Sequence, residues 1–469
     1  MDNLPYKIFK LSYNISGGHM LNKLIDEYLN ENIYPFHMPG HKRSKILNPN
    51  IGYGRDFTEI DGLDNLNDPK EVFVEMEKKI AEIYKVKEAI ISTNGSTSGI
   101  LASIRALTKN NKNILIQRSS HKAVYNACFI NNLKVDYIGV KTNDIGSIVD
   151  ISYEDLENQL KAKNYAALVI TSPSYEGYLL DIEKIYNLCK KNNTKLILDM
   201  AHGSHLFLTG QYKNTFDIGI TSFHKNLPAL TPGAAVLVND EEIIKDLRFA
   251  MAIFQTSSPS YLILQSIDYI LENLGKMKSL NEKLSKNLDN LYKLNLKNLK
   301  LIDSKNKDRS KILISTKVTN INGKELGDLL KKEKIEIEMA YPSYGLLIAS
   351  LYDSDLAFEL LKKALIKIDK TLDHLNVSYN FSYIRPKKIY EIYEAMEKES
   401  LLINIKDAEG KIAAGFTYAY PPGIPILAPG ELIDKNIIAN INNLQANNIN
   451  LNLEENSIRV LIDKEDKNC

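Results

Sequence analysis

A lysine near the middle of the chain is the first residue whose surroundings point to chemistry. Lys225 closes the run Ser222-Phe223-His224-Lys225, which follows a strand-like apolar segment. A lysine amine that is removed from water can lose its proton, and the neutral amine then attacks an aldehyde. Taken alone, such a lysine is most often a surface residue. The meaning of Lys225 therefore depends on the residues that accompany it.

A carboxylate lies 26 residues before this lysine. Asp199 ends the apolar run 195–199, which has the composition of a buried strand. A pyridine ring that accepts electrons needs a protonated nitrogen, and an aspartate paired with that nitrogen keeps the proton in place. One crossover connection would place Asp199 and Lys225 at the ends of neighbouring strands. The alternative is that Asp199 only caps its own strand.

A Ser/Thr-rich loop follows an earlier predicted strand and opens a helix. Residues 94–99 read Asn-Gly-Ser-Thr-Ser-Gly. The backbone N–H groups of a helix N-terminus, together with the hydroxyls of Ser96, Thr97 and Ser98, form a site that suits a phosphate. The alternative is an ordinary helix cap and turn, which Ser and Thr also serve.

Histidines and a small residue complete the set. His121 follows the next predicted strand, where its imidazole could stack on a flat ring or make an ordinary loop hydrogen bond. Ala201 is small enough to let such a ring lie against the backbone. We also predict that His202, the next residue, contacts the cofactor. His202 and His205 resemble a metal-ligand pair at first sight. We predict no metal, because Asp199 is better used on a pyridine nitrogen.

These groups occur in one order along the chain: phosphate loop, stacking residue, aspartate, lysine. Each follows a predicted strand, and one cofactor has a phosphate, a ring face, a ring nitrogen and an aldehyde to satisfy. We therefore predict that pyridoxal 5'-phosphate (PLP) is held as an imine on Lys225.

The helices and strands that must position these residues are predicted to form an α/β fold. Helices are predicted between short buried strands, for example at Ser98–Leu107 and Glu183–Lys191. Strands separated by helices form a mostly parallel sheet with helices on both faces, and ligands gather beyond the carboxyl ends of its strands. The predicted strands are Ala89–Ser92, Asn113–Gln117, Ala166–Thr171, Lys195–Asp199 and Ala234–Val238.

Changes in composition divide the chain into three predicted parts. Residues 1–270 form an N-terminal arm and a large PLP-binding domain, 271–378 a smaller α+β domain, and 379–469 a C-terminal α+β domain. Leucines near helical spacing at 280–294 predict a long helix that leaves the large domain, with its Lys and Asn residues on a solvated face. In the last part we predict a helix at 387–398 and strands at 401–405 and 412–416.

Composition excludes several partners. The 59 basic and 58 acidic residues leave a net charge of +1, which gives no reason to expect nucleic acid or an anionic membrane as a partner.

Three cysteines suit no disulfide framework, and the first residues lack a hydrophobic signal core, so we expect a cytoplasmic protein. No segment reaches 18 apolar residues, which argues against a membrane span.

Over nearly its whole length the sequence resembles the Orn/Lys/Arg decarboxylases, which are PLP enzymes of the aspartate-aminotransferase-like fold (fold type I). The most specific motifs are Phe-His-Met-Pro-Gly-His-Lys at 36–42 and Tyr-Pro-Pro-Gly-Ile-Pro at 420–425. Further matches lie at 58–66, 94–99, 120–122, 171–177, 199–205, 222–225, 255–261 and 429–431.

The resemblance implies a role for several positions. Lys225 matches the imine-forming lysine, Asp199 the partner of the pyridine nitrogen, and His121 and Ala201 the residues on the two ring faces. The positions matched to the phosphate are Ser96, Thr97, Ser98, Ser222 and His224, and Thr256 and Ser257 would reach the phosphate of a neighbouring subunit. A homodimer, or an oligomer built from dimers, with shared active sites is implied.

The same resemblance implies decarboxylation of a small basic amino acid to CO2 and a polyamine-type amine. Arginine and lysine are favoured over ornithine, because short-form members often serve polyamine biosynthesis. Lys225 or His224 would return a proton to Cα. Because the far end of such a substrate is a cation, it should meet a carboxylate at the mouth of the site, for which Glu431 beside the Pro-rich loop is the candidate; the alternative for Glu431 is a loop or helix-capping role. The chain resembles the short form, which lacks the extra N-terminal domain.

Two departures from the family pattern keep other functions open. Ser44 stands where a glycine is expected, and Gly415 where many short members have Glu. The alternatives are another fold-type-I PLP enzyme, either an aminotransferase or a lyase, and a PLP-fold protein that has lost catalysis. An aminotransferase usually offers an arginine for the substrate carboxylate, and residues 311–375 contain none.

Overall fold

The structure is a computed structural model that describes residues 34–36, 64–375, 384–419 and 423–462. Most of the motif at 36–42, together with Ser44 and residues 420–422, lies outside the described residues.

Nineteen strands are present in the described residues. They are β1 (Tyr34–Phe36), β2 (Glu88–Ser92), β3 (Asn113–Gln117), β4 (Lys134–Ile138), β5 (Val140–Thr142), β6 (Ile148–Ile151), β7 (Ala167–Thr171), β8 (Lys195–Asp199), β9 (Ile218–Ser222), β10 (Ala234–Val238), β11 (Lys300–Ile302), β12 (Lys311–Ser315), β13 (Ile335–Ile337), β14 (Met339–Tyr341), β15 (Tyr344–Ile348), β16 (Ser400–Asn404), β17 (Thr417–Tyr418), β18 (Pro425–Leu427) and β19 (Ser457–Leu461).

Helices connect most of these strands. In chain order they are α1 (Val72–Tyr84), α2 (Gly95–Leu107), α3 (Lys122–Ile130), α4 (Tyr153–Ala162), α5 (Ile182–Lys191), α6 (Leu206–Thr209), α7 (Phe223–Asn226), α8 (Ile244–Phe254), α9 (Tyr261–Glu272), α10 (Leu274–Tyr292), α11 (Gly323–Lys332), α12 (Asp355–Asp369), α13 (Ile392–Met396) and α14 (Lys435–Ala446). Among the described residues, none of these helices is long and apolar enough to cross a membrane.

A seven-stranded sheet forms the centre of the molecule, in the order β2-β10-β9-β8-β7-β3-β4. Strand β10 runs antiparallel to both of its neighbours, and the other strands are parallel to one another. The predicted α/β class with a mostly parallel sheet is confirmed. Asp199 pairs with Thr171 on one side and Ile220 on the other, so its side chain leaves the sheet at the carboxyl ends of three adjacent strands.

Strand β8 shows why these short apolar runs become central strands. Leu196 and Leu198 pack into the hydrophobic core on one face of the sheet, and Ile197 packs into the core on the other. Because both faces are covered, the strand must be apolar at every interior position. Each such side chain stabilises the fold by about 1.5–3 kcal/mol relative to an exposed one.

A second sheet of four antiparallel strands, β11-β12-β15-β14, follows the long helix α10. The leucine pattern predicted this helix, and Leu284, Leu288 and Leu291 are buried along one side of it. Between β13 and β14 the chain carries Glu338, which reaches back to the first sheet and becomes part of the cavity described below.

The last part of the chain departs from two predictions. The helix predicted at 387–398 extends only over Ile392–Met396, because the backbone N–H groups of Ile389 and Tyr390 donate to the Gly430 carbonyl instead. The strand predicted at 412–416 is also wrong. Ile412 and Ala413 make only isolated bridges, and the β16 strand pairs with β19.

Candidate active site

A cavity of about 470 Å³ opens at the carboxyl ends of the parallel strands. Gln117, Thr171 and Asp199 line it from the ends of β3, β7 and β8, and Lys225 lines it from the turn after β9. This is the position at which an open parallel sheet binds ligands. Residues that sequence reasoning selected from separate segments therefore share one cavity.

Lys225 lies on the short helix α7, which begins directly after β9. Its Nζ is 2.8 Å from Nε2 of His202. Burial lowers the pKa of Lys225 to about 8, while the negative charges of Asp199 and Glu338 oppose that shift. Near neutral pH the neutral amine is therefore a minor form of Lys225, but a far more populated one than in an exposed lysine, which makes Lys225 a competent nucleophile.

Asp199 presents a buried carboxylate to the same cavity. Its Oδ1 accepts a hydrogen bond from the backbone N–H of Ala201 at 3.1 Å. Burial raises the pKa of Asp199, and the nearby positive charge of Lys225 lowers it. A cationic ring nitrogen beside this carboxylate would stabilise its charged form, since a buried carboxylate is costly without a partner.

His202 and His224 are both neutral in this environment. Burial lowers the pKa of His202 well below its usual value and that of His224 to about 4. His224 donates from Nδ1 to the Gly233 carbonyl at 3.1 Å, so its Nε2 carries no proton. His202 accepts from the Lys225 ammonium through Nε2, and its buried Nδ1 has no hydrogen-bond partner among the described residues.

His121 lines the cavity from the N-terminus of α3. Its Nδ1 accepts a hydrogen bond from the backbone N–H of Ala123 at 3.2 Å, so the ring both caps the helix and is fixed in place. Burial lowers the pKa of His121 to about 4, with a further contribution from Lys225. The ring is therefore an uncharged aromatic surface beside Asp199 and Lys225.

The N-terminus of α2 faces the cavity with open donors. Its N-cap residue, Asn94, makes no side-chain cap hydrogen bond. Ser96 and Thr97 line the cavity, but Ser98 does not, because its hydroxyl donates to the Gly95 carbonyl at 2.9 Å and contacts Ser92 Oγ at 2.7 Å. An uncapped helix N-terminus of this kind favours an anion.

Ser222 is another predicted phosphate residue. It does not line the cavity, and its hydroxyl is fully buried with no hydrogen-bond partner among the described residues. Thr256 and Ser257 do not line the cavity and are exposed, although the Thr256 N–H donates to Asn94 Oδ1 at 3.2 Å. They thus lie beside the N-terminus of α2 on the outer surface of the chain.

Glu431 is not at the cavity, which corrects its expected role in binding the substrate. Its side chain is fully buried, and its two carboxylate oxygens accept from Arg118 Nε at 3.1 Å and Arg118 Nη2 at 2.8 Å. The carboxylate also accepts from the Ala428 N–H. Glu431 is therefore committed to a buried ion pair away from the cavity and is not in reach of a substrate there. Gly415 also lies elsewhere, next to Arg459.

Sequence reasoning did not assign two carboxylates that line the cavity, Glu176 and Glu338. Glu338 accepts a short hydrogen bond from the Tyr175 hydroxyl. Glu176 lay within the matched motif at 171–177, so its position was available from the sequence. Glu338 comes from a distant strand pair, and no local pattern marks it.

A buried polar cluster supports the rear of the site. His205 Nε2 lies 3.2 Å from Asp308 Oδ2, and Lys311 Nζ lies 3.4 Å from the same oxygen. His205 thus lies against the Asp308 carboxylate and does not line the cavity. Within the part of the chain that the structure describes, no group of three His, Cys, Asp or Glu side chains could hold a metal ion.

The chemistry of these donors fits PLP. The cavity offers an uncapped helix N-terminus for a phosphate, a carboxylate for a ring nitrogen, a neutral imidazole for a ring face and an amine for an aldehyde.

Comparison with known proteins gives matches over most of the chain. The family "Orn/Lys/Arg decarboxylase, major domain" matches residues 20–341, and "Orn/Lys/Arg decarboxylase, C-terminal domain" matches residues 378–451. The uncharacterized protein YaaO of Bacillus subtilis is 27% identical, over 95% of this chain and 99% of its own length. An arginine decarboxylase of Halalkalibacterium halodurans is 26% identical, over 87% of this chain and 89% of its own length.

The solved structure of the Escherichia coli constitutive lysine decarboxylase superimposes with a TM-score of 0.76 at 16% identity. The match covers 94% of this chain and 84% of that one. This likeness concerns the fold alone.

Proposed function

The chain belongs to the Orn/Lys/Arg decarboxylase family, and we propose that it is a PLP-dependent decarboxylase of a basic L-amino acid, with arginine as its first substrate. One observation carries the proposal: Lys225, Asp199 and the N-terminus of α2 face one cavity. We place arginine before lysine because two relatives are named arginine decarboxylases. Each is 26% identical to this chain, and the match covers about nine-tenths of its length.

Each group of the cofactor has a proposed partner in the chain. Lys225 would hold the aldehyde carbon, Asp199 the ring nitrogen, and His121 and Ala201 the two ring faces. The phosphate would lie at the N-terminus of α2, with Ser96, Thr97 and Ser222 around it. When bound there, PLP supplies the electron sink for the pair of electrons released as the bond from Cα to the carboxylate breaks.

Proton transfer is assigned to Lys225. Loss of CO2 leaves an electron pair on Cα, and a proton must be added there to give the amine product. His224 is a poor donor, because its ring is neutral and its one N–H is used on the Gly233 carbonyl. Lys225 has a pKa of about 8 and carries a proton for most of the time near neutral pH.

Two of the family's matched residues point to a shared site. Thr256 and Ser257 are exposed and lie beside the N-terminus of α2, as the Thr256–Asn94 hydrogen bond shows. We propose that these residues reach the phosphate of a second copy of the chain, so that a homodimer is the smallest active unit. A cytoplasmic location and a role in polyamine synthesis accord with such an enzyme.

A product assay tests the proposed function. The purified protein is incubated with PLP and, separately, with arginine, lysine and ornithine, and CO2 is measured together with agmatine, cadaverine and putrescine. We expect CO2 and agmatine in equal amounts from arginine. Keto acid without CO2 would identify an aminotransferase, and a protein that takes up no PLP would be a scaffold that has lost catalysis.

A further inference from the structure

We propose that Glu176 binds the distal cation of the basic substrate and thereby determines which amino acids the enzyme accepts. This inference rests on the proposed function, because it concerns the substrate of the same cavity.

Glu176 lies where the active-site cavity meets a second one. The second cavity has a volume of about 140 Å³ and shares Ile148, Glu176 and Ile424 with the first. Glu176 is only 6% exposed, yet it lines both cavities. A side chain that extends from the reacting end of the cavity toward the second cavity would therefore pass the Glu176 carboxylate.

The hydrogen bonds of Glu176 involve neutral donors. Oε1 accepts from the Tyr344 hydroxyl at 3.0 Å, and Oε2 accepts from the Ser174 hydroxyl at 3.1 Å. Within the described residues Glu176 makes no ion pair. The positive charge of Lys307 lowers the pKa of Glu176, but Lys307 Nζ donates to the backbone carbonyls of Lys311 and Asp308.

This arrangement leaves the carboxylate short of a cation. Burial raises the pKa of Glu176. A carboxylate that is removed from water is stabilised strongly by a partner of opposite charge. An ammonium or guanidinium group that entered from the cavity would provide that charge and would bind in a region already free of bulk water.

The backbone holds Glu176 in a fixed position. Gly177 has φ of +94°, and a Cβ at that position would lie 2.8 Å from the Lys311 Cβ. The Asp308 N–H donates to the Gly177 carbonyl at 2.8 Å, and the Gly177 N–H donates to the Ser174 carbonyl at 2.9 Å. A preorganised carboxylate loses little entropy when the cation binds.

Glu176 lines the part of the active-site cavity that borders the second cavity. The charges that shift the pKa of Lys225 are Asp199, Glu338 and Lys311, and Glu176 is not among them. The charge of Glu338 thus acts on the reacting amine, whereas Glu176 lines both the active-site cavity and the second cavity. The α-amine of the substrate reacts near Lys225, and its methylene chain carries the second cation away from that point.

Aromatic rings extend the proposed subsite. Tyr341 and Tyr344 stack with ring centroids 5.3 Å apart and an interplanar angle of 28°, and both line the second cavity. The face of a tyrosine ring attracts cations, and a planar guanidinium also stacks on it. This pair favours arginine over a shorter ammonium-bearing side chain.

The test compares two amines that differ only in charge at the far end. Agmatine carries a guanidinium, and N-carbamoylputrescine carries a neutral urea of the same shape. Their affinities for the PLP-loaded protein are measured by titration calorimetry, which needs no turnover. The wild type is expected to prefer agmatine, and Glu176→Gln is expected to reduce that preference at least about 30-fold, as for the loss of one partner of a buried charge pair.

Glu338→Gln is the matched control, because it neutralises the other unassigned carboxylate of the same cavity. It should keep the wild-type preference for agmatine. Glu176→Asp retains the charge and should also keep the preference, with weaker binding overall. The visible absorbance of the lysine-bound cofactor confirms for each variant that the site is assembled.

Two outcomes would overturn the inference while the proposed function stands. In the first, the wild type decarboxylates arginine and Glu176→Gln still prefers agmatine as strongly. In the second, Glu338→Gln loses the preference in its place. If the wild type decarboxylates none of the three basic amino acids and binds neither amine, the proposed function fails, and the role of Glu176 fails with it.

Discussion

The side-chain nitrogen of Lys225 lies 2.8 Å from Nε2 of His202, inside the cavity at the ends of the parallel strands. Burial lowers the pKa of the lysine to about 8 and that of the histidine well below its usual value. A neutral imidazole therefore accepts a hydrogen bond from an ammonium that gives up its proton easily. This relationship makes the reactivity of Lys225 dependent on pH in a predictable way.

The first prediction concerns the rate at which the PLP-free protein takes up PLP. The reactive form of Lys225 is the neutral amine, so the rate should rise with pH, with a midpoint at about 8. The rate is measured from the growth of the visible absorbance at several pH values. A midpoint near the ordinary lysine value of about 10.4 would contradict burial of this amine.

Asp199→Asn provides a second test of the same electrostatics. The negative charge of Asp199 raises the pKa of Lys225, so its removal should lower the midpoint for PLP uptake. The pyridine nitrogen would also lose its partner, so turnover should fall. A midpoint that moved to higher pH in this variant would show that the two side chains do not interact as described.

The third prediction concerns the buried pair between Arg118 and Glu431. Glu431→Gln leaves the guanidinium buried without a counter-charge, and it should lower the free energy of unfolding by about 3–5 kcal/mol. Urea unfolding measures this loss. The KM for arginine should not rise selectively, because Glu431 is not at the cavity. Unchanged stability together with a large rise in KM would restore Glu431 as a substrate residue.

The fourth prediction compares two glycines that both have positive φ. Gly177 and Gly210 have φ of +94° and +73°, but a Cβ at Gly210 would meet nothing within 4 Å. Gly210→Ala should therefore cost only the backbone strain of about 1–2 kcal/mol. Gly177→Ala should cost more, because its Cβ would also lie 2.8 Å from the Lys311 side chain. Equal urea midpoints for the two variants would contradict the close approach at Gly177.

Much of the central sheet could be predicted from the sequence. The predicted runs Asn113–Gln117, Lys195–Asp199 and Ala234–Val238 are the observed strands, and two others differ by one residue at an end. Strands covered on both faces are apolar throughout, so their signal is local. Because the strands are parallel, residues that follow them meet at one edge, which is why Lys225 and Asp199 could be paired before the fold was described.

Features that depend on distant partners could not be predicted in this way. The observed helix in 387–398 is shorter than predicted, because the backbone N–H groups at its predicted start donate to the carbonyl of Gly430, more than 30 residues later. Glu431 was assigned to the substrate as a carboxylate beside the Pro-rich loop, and no local pattern revealed its partner Arg118, which is 313 residues away. Glu338 carries no local signal at all. The boundaries near 270 and 378 stay predictions.

The central claim is that the amine of Lys225 binds the cofactor covalently. The most direct measurement is reduction of the PLP-loaded protein with borohydride, followed by proteolysis and mass spectrometry of the peptides. The account predicts one pyridoxyl-modified residue, Lys225, and no modification in Lys225→Ala. A modified peptide from any other lysine, or a reducible adduct that persists in Lys225→Ala, would contradict it.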